Sequence, residues 1–233
     1  MEKVLSCTGL SKYYGGLPAL SDVSVNLFSG RITYLTGSSG SGKSTFLRLA
    51  AGLIHPSEGS ITVCGIRPGA DTNELVAFLP DRDFLPADEK LIDIVRFYSV
   101  FFNNYDTDKA AASLHTLNVD LTKRFGDFSR GMRANIQTAI IAARQARVFL
   151  LDEPALACDS DSRKYLIEAI FDKTKENAAV IISYPDFLSG PLGCYVDDIL
   201  MLKNGTVMFC GNVNDYLCGS RYANGEVIEV ITE

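Results

Sequence analysis

Tryptophan is absent from this 233-residue chain, and histidine occurs only at His55 and His115. Glutamine is confined to Gln137 and Gln145. The six cysteines (Cys7, Cys64, Cys158, Cys194, Cys210 and Cys218) form no C-x-x-C pair. Together with so few histidines, that scatter argues against a zinc cluster and for buried or neutral thiols in a reducing compartment. No apolar run approaches the roughly 18 residues that cross a bilayer. The longest, Leu91 to Phe102, is broken by Asp93 and Arg96. The N-terminus, Met1-Glu2-Lys3-Val4, has no signal-peptide core, so a soluble or peripheral protein made in the cytosol is expected. A net charge of −6 argues against nucleic acid as a main partner, because phosphate backbones are bound by excess Lys and Arg. No internal repeat or low-complexity linker is present.

What is present begins with Gly37-Ser38-Ser39-Gly40-Ser41-Gly42-Lys43-Ser44-Thr45, a G-x-x-x-x-G-K-[ST] phosphate-binding loop. Its glycines let successive backbone N–H groups turn toward phosphate oxygens, and a helix opening at about Ser44 adds its positive end. Lys43 is a mobile cation for the β- and γ-phosphates, and the Ser44 hydroxyl is a hard oxygen ligand for Mg²⁺. Ile32, Tyr34 and Leu35 form an apolar strand before the loop. Phe46 to Ala51 reads as helix until Gly52 stops it. A Gly/Ser linker would not carry Lys-Ser-Thr between a strand and an apolar helix. The chain is expected to bind a nucleoside triphosphate.

The front of the chain reads as strands: Val4 to Cys7, then alternating Val23, Val25 and Leu27, with a turn at Tyr13-Tyr14-Gly15-Gly16. Ile61 to Gly65 and Leu75 to Leu79 are further strands. Leu91 to Phe102 has helical spacing, Asp106 or Thr107 can cap a second helix through Leu117, and a third is expected from about Gly131 to Gln145. Val148 to Leu151 is the continuous apolar run of a buried parallel strand. Helix is expected over Ser162 to Lys175, strand over Ala179 to Ile182, and a hairpin over Asp198 to Cys210 with a type I′ turn at Asn204-Gly205. The class is therefore α/β: a single domain over residues 1–233, with a β-rich front and a helical insert at about 82–145.

A phosphate loop alone does not separate kinases, GTPases and transport ATPases. Leu150-Leu151-Asp152-Glu153-Pro154 adds two acids at the end of a hydrophobic strand. Asp152 is placed to hold Mg²⁺ through water, and Glu153 to polarise an attacking water as general base. Phe128-Ser129-Arg130-Gly131-Met132-Arg133 opens the helix leading into that strand. With these three motifs in this order, the chain resembles the ATP-binding subunits of ABC transporters, over essentially its whole length. The usual Leu-Ser-Gly-Gly-Gln signature sits at this place, and the Ser-Arg-Gly-Met form is similar to subunits of the bacterial ABC-2 exporter type.

The resemblance implies a P-loop NTPase core with an antiparallel β subdomain and a helical subdomain. It implies ATP and Mg²⁺ as ligands and a separate transmembrane permease subunit as partner. Tyr14 takes the place of the adenine-stacking aromatic, a turn tyrosine being the competing role. Ser129 and Gly131 match residues that touch the γ-phosphate from the opposite subunit, and Asp159 matches the loop that couples two sites across a homodimer or heterodimer. The expected location is the cytoplasmic face of the membrane.

Two switch residues of that family are missing. The Gln expected after the strand at Leu75–Leu79 is replaced in Leu79-Pro80-Asp81-Arg82-Asp83, where Asp81 takes its place with a side chain one methylene shorter. The His expected after Ala179–Ile182 is replaced in Ser183-Tyr184-Pro185-Asp186, and Pro185 has no side-chain donor. Tyr184 offers a hydroxyl or serves as a packed aromatic. Slow hydrolysis in a homodimer is therefore expected, with two alternatives: a heterodimer whose partner carries the missing groups, or a regulatory module with little turnover. His55 reads as a surface turn residue and Cys158 as a small hydrophobe. The rings of Phe97, Tyr98, Phe101 and Phe102 read as insert core, with one or two exposed for docking.

Overall fold

In the computed structural model of the chain, residues 1–154, 168–169, 171–184, 193–223 and 226–230 are described. β1 (Lys3–Tyr14) and β2 (Leu17–Phe28) make a long antiparallel hairpin that turns at Gly15 and Gly16. β3 (Ile32–Thr36) runs into the phosphate loop and α1 (Lys43–Ala50). β4 (Glu58–Val63) pairs with the other edge of β1, giving a three-stranded sheet in the order β2-β1-β4. β5 (Val76–Leu79) follows, and then the helices α2 (Leu91–Phe101), α3 (Thr107–Thr116) and α4 (Arg130–Ala142). β6 (Val148–Asp152), β7 (Ala179–Ser183), β8 (Asp198–Lys203) and β9 (Thr206–Asn212) complete a six-stranded sheet in the order β5-β6-β7-β3-β8-β9. All of its pairings are parallel except β8 with β9. A helix at Val213–Gly219 and a hairpin of β10 (Ser220–Ala223) and β11 (Glu226–Val230) lie beyond it.

The parallel strands divide their side chains between two cores, as a sheet covered on both faces must. Leu35, Val148, Leu150, Ile181 and Leu200 pack with Phe46, Leu47 and Leu49 of α1 and with the antiparallel sheet. Tyr34, Phe149, Leu151, Val180 and Ile182 face the other way, against Ile141 and Tyr216. α2 to α4 gather a third core of their own around Leu91, Ile94, Leu114, Phe125 and Ile136. Asp106 caps α3 by accepting from the Lys109 N–H at 2.9 Å, as its position before the helix predicts.

Three details differ from the sequence reading. β1 runs twelve residues, well past the expected Val4 to Cys7; Gly9, at φ +59, and several register shifts break the alternation that would have marked the rest as strand. α4 stops at Ala142, short of Gln145, because the 104–106 loop takes over the hydrogen bonds of the chain as it leaves the helix. Gln145 N–H donates to Asn104 O at 2.8 Å, and Asp106 N–H to Ala143 O at 3.0 Å. Among the cysteines, Cys7 is buried, with its thiol pushed up to about 11 by burial, but Cys194, Cys210 and Cys218 are exposed. Cys158, and Ser162 to Ile167 of the expected helix, lie outside the described residues; 171–175 are helical.

Leu150 lies in the middle of β6 with no exposed surface. Leu150→Ala is expected to lower stability by about 2–5 kcal/mol, read as a fall in the urea midpoint without a change of slope.

Candidate active site

The carboxyl ends of β3, β5, β6 and β7 open on one side of the sheet, which is where open α/β sheets take their ligands. From β3 the chain enters the 37–42 loop through Gly37 at φ +139 and reaches α1 through Gly42 at φ +106. A Cβ on Gly37 would lie 2.1 Å from Leu202 O, and one on Gly42 2.6 Å from Ala19 O. These two glycines let the loop press against β8 and β2. Ser38, Ser39 and Gly40 are exposed, Ser44 and Thr45 half-buried, and Lys43 buried. The Lys43 amine donates to Gly37 O at 2.7 Å and Ser38 O at 3.1 Å, so the cation is held across the loop's own carbonyls. The buried Ser41 hydroxyl has no hydrogen-bond partner.

β6 ends in Asp152, whose side chain is fully buried. Its Oδ1 accepts from the Ser183 hydroxyl at 2.8 Å, while its buried Oδ2 has no partner. Glu153 follows in the left-handed region at φ +48, which is uncommon for a glutamate. Its N–H donates to Ser183 Oγ at 3.0 Å and to Ser183 O at 3.2 Å. Burial pushes the Glu153 carboxyl above the usual carboxylate range; Lys43 opposes that rise, and Asp152 and Asp81 add to it. The phosphate-loop lysine, the acid pair and Asp81 thus share one electrostatic environment.

A cleft of about 250 Å³ lies beside Glu153, lined among others by Pro154, Asp81, Arg82, Arg130 and Arg133. Asp81 is exposed and sits 3.8 Å from Arg48. Asp83 is latched to α4 at both oxygens: Arg133 Nε lies 2.9 Å from Oδ2, and Gln137 Nε2 donates to Oδ1 at 3.0 Å. The Gln137 carbonyl accepts from the Phe84 N–H at 2.8 Å. Although Gln137 stands far from this loop in sequence, the fold brings it there. The usable signal was its spacing of four from Arg133, which puts both on one helix face.

Ser129 caps α4, its Oγ accepting from the Met132 N–H at 3.3 Å, and is exposed, with Gly131 half-buried beside it. Among the described residues, the hydrogen bonds of Ser129 run only within α4 and none reaches the phosphate loop. Tyr14 stands exposed at the tip of the first hairpin, with the Lys12 amine 5.3 Å from its ring centre. Tyr184 is half-buried in the core around Ile182, and its carbonyl accepts from the Tyr34 hydroxyl. It is a packed aromatic. Asp159, Pro185 and Asp186 lie outside the described residues. His55 is exposed, as expected of a turn.

A family profile described as ABC transporter matches residues 20–156. The chain belongs to the ABC transporter family. An uncharacterized ABC transporter ATP-binding protein of Methanocaldococcus jannaschii is 26% identical over 98% of this chain and 87% of that protein. The taurine import ATP-binding protein TauB of Yersinia pestis bv. Antiqua is 30% identical over 98% of this chain and 90% of its own. A solved structure described as the ATP-binding subunit of an ABC transporter superposes with a TM-score of 0.83, at 24% identity, covering 91% of both chains. This ABC protein is thus an ATP-binding subunit and an ATPase of that family. No helix among its described residues is long and apolar enough to cross a membrane.

Gln137 is buried, so Gln137→Leu leaves the Phe84 N–H and Asp83 Oδ1 without the amide that answers them, while Arg133 stays on Asp83 Oδ2. A loss of about 1–3 kcal/mol in urea unfolding is expected.

Proposed function

We propose that this chain is the motor subunit of an ABC exporter, peripheral to the cytoplasmic face of the membrane and coupled to a separate transmembrane permease subunit. The observation that carries the reading is the meeting of Lys43, Asp152, Glu153 and Asp81 at the carboxyl ends of the parallel strands, with one oxygen of a fully buried carboxylate left unpartnered. ATP is the substrate. Gly37, Ser38, Ser39, Gly40, Ser41, Gly42 and Thr45 wrap its phosphates, Lys43 neutralises them, and Tyr14 stacks on the adenine.

Mg²⁺ fits the donors present, since the Ser44 hydroxyl and the unpartnered Asp152 Oδ2 are the hard oxygens that such a cation takes. When bound, it supplies Lewis-acid neutralisation of the phosphate oxygens. Glu153 holds the attacking water and draws its proton. Burial raises the carboxyl pKa, which makes the carboxylate a stronger base, and Lys43 opposes that rise.

Ser129 and Gly131 lie at a helix N-terminus where Ser129 is exposed, and among the described residues no hydrogen bond of Ser129 reaches the phosphate loop of its own chain, which favours a second subunit as their target. ATP then closes two cassettes face to face, with Asp159 at the joint, and hydrolysis reopens them. The single domain 1–233 places its helical subdomain, about 82–145, toward the permease. There a groove of about 470 Å³ runs between Phe84, Pro86, Glu89, Asp93, Phe97 and Tyr98. Export rather than import is argued from the Ser129-Arg130-Gly131-Met132 signature. A regulatory cassette with little turnover is the second reading, favoured by Asp81 and Pro185 in place of the switch Gln and His.

Glu153→Gln should bind ATP and accumulate as a dimer in gel filtration with ATP, Mg²⁺ and the permease present; elution as monomer alone speaks against shared sites. Pro185→His should raise turnover, toward the full 10²–10³-fold typical of one lost oxyanion-type donor. An unchanged steady-state rate in a folded variant would remove the missing histidine as the cause of slow hydrolysis.

A further inference from the structure

Ser183 opens the segment in which the switch histidine is missing and has no role of its own in that motif, yet it touches both acids of the pair. We propose that Ser183 is a positioning residue for the ATPase reaction: its hydroxyl orients the Asp152 carboxylate toward a divalent cation and holds the backbone turn that carries Glu153. The inference rests on the ATP·Mg²⁺ reading given above.

Parallel pairing places Ser183 opposite Asp152 at the ends of β7 and β6, and Ser183 has no exposed surface. A hydroxyl has one hydrogen and an ionised carboxylate can only accept, so the 2.8 Å contact runs from Ser183 Oγ to Asp152 Oδ1. Toward the Glu153 N–H, 3.0 Å away, the same oxygen must accept. The polar chain therefore has one direction, from Glu153 N–H through Ser183 to Asp152.

Two consequences follow from that direction. With Oδ1 fixed by the hydroxyl, rotation of the carboxylate is stopped and Oδ2 is the oxygen left for another ligand. A buried carboxylate oxygen without a partner is costly in the free protein, and a cation relieves the cost. Glu153, at φ +48, occupies a sparsely populated backbone region, and both hydrogen bonds of its N–H go to Ser183. The end of β7 is itself anchored, because the Tyr34 hydroxyl donates to the carbonyl of Tyr184. Tyr34 lies on β3, the strand that feeds the phosphate loop. Ser183 thus ties the metal-side acid to the water-side acid, and its neighbour Tyr184 ties the same strand end to the phosphate strand.

The test compares Ser183→Ala, Ser183→Cys and Ser183→Thr in the full chain. Affinity for ATP is measured in EDTA and across a Mg²⁺ titration, and turnover at saturating Mg²⁺ and ATP. ATP binding in EDTA should stay within about twofold of the unaltered chain in all three, which also reports folding. In Ser183→Ala and Ser183→Cys the Mg²⁺ midpoint should rise and kcat fall by about 10–100-fold, the usual range for loss of an outer partner of a metal ligand. Ser183→Thr keeps the hydroxyl and should return both quantities to within about threefold.

A folded Ala or Cys variant with the original Mg²⁺ midpoint and kcat overturns the proposal. So does a folded Thr variant as impaired as Ala, since packing rather than the hydroxyl would then be responsible. The cysteine variant preserves volume and decides the matter if alanine does not fold. If the unaltered chain binds ATP but does not turn it over, the hydrolysis reading fails while the Mg²⁺ midpoints still judge Ser183.

Discussion

The carboxylate of Asp152 is the constraint around which the site is built. It ends a strand with no exposed residue, enclosed between β5 and β7 and covered on both faces. An ionised group taken so far from water is tolerated only with hydrogen bonds or a cation to answer it. β6 delivers that carboxylate at its carboxyl end. Parallel pairing then requires β3, β5 and β7 to end on that same side. Residues as distant in sequence as Lys43, Asp81, Asp152 and Ser183 are brought together by that single requirement.

The helical layer is joined to the sheet in a different way. Its apolar core shares the half-buried rings of Phe84 and Tyr98 with one core of the sheet, and the rest of the joint is rich in polar contacts that depend on direction. The Arg144 guanidinium lies 3.6 Å from the Phe102 ring centre and donates to Asn104 Oδ1 at 2.9 Å; burial lowers its pKa to about 10. The Lys173 amine, whose pKa is also lowered by burial, donates to Arg144 O at 3.0 Å. Glu176 takes Lys109 at 2.7 Å and Lys173 at 3.5 Å. On the opposite side Asp83 takes Arg133 and Gln137. Contacts of this kind are lost over small displacements, whereas apolar surfaces slide with little change in energy. The joint therefore favours discrete positions over continuous ones.

The parts legible in the sequence were those whose geometry is encoded locally. The phosphate loop, the acid pair after an apolar strand and the Asn204-Gly205 turn, at φ +50 and +79, each fall within a few residues. The unread parts depended on strand order. Ser183 meets Asp152 from 31 residues away and Gln137 meets Asp83 from 54 away, and no periodicity reports such pairings. The helix at Val213–Gly219 and the β10–β11 hairpin were likewise not anticipated. Tyr184 was ambiguous between a ligand hydroxyl and a packed ring, because burial is a property of the assembled sheet.

The cap of α4 has a further chemical meaning. Ser129 serves the helix only as an acceptor, through a 3.3 Å contact from the Met132 N–H. A hydroxyl used this way keeps its proton, and the surrounding N–H groups at a helix start polarise it toward donation. The same oxygen can thus terminate a helix and offer a hydrogen to an anion beyond it, without first breaking any bond inside its own chain. In the proposed two-cassette cycle, where Ser129 would meet and leave a phosphate, such an economy would let its resting and engaged states share one geometry.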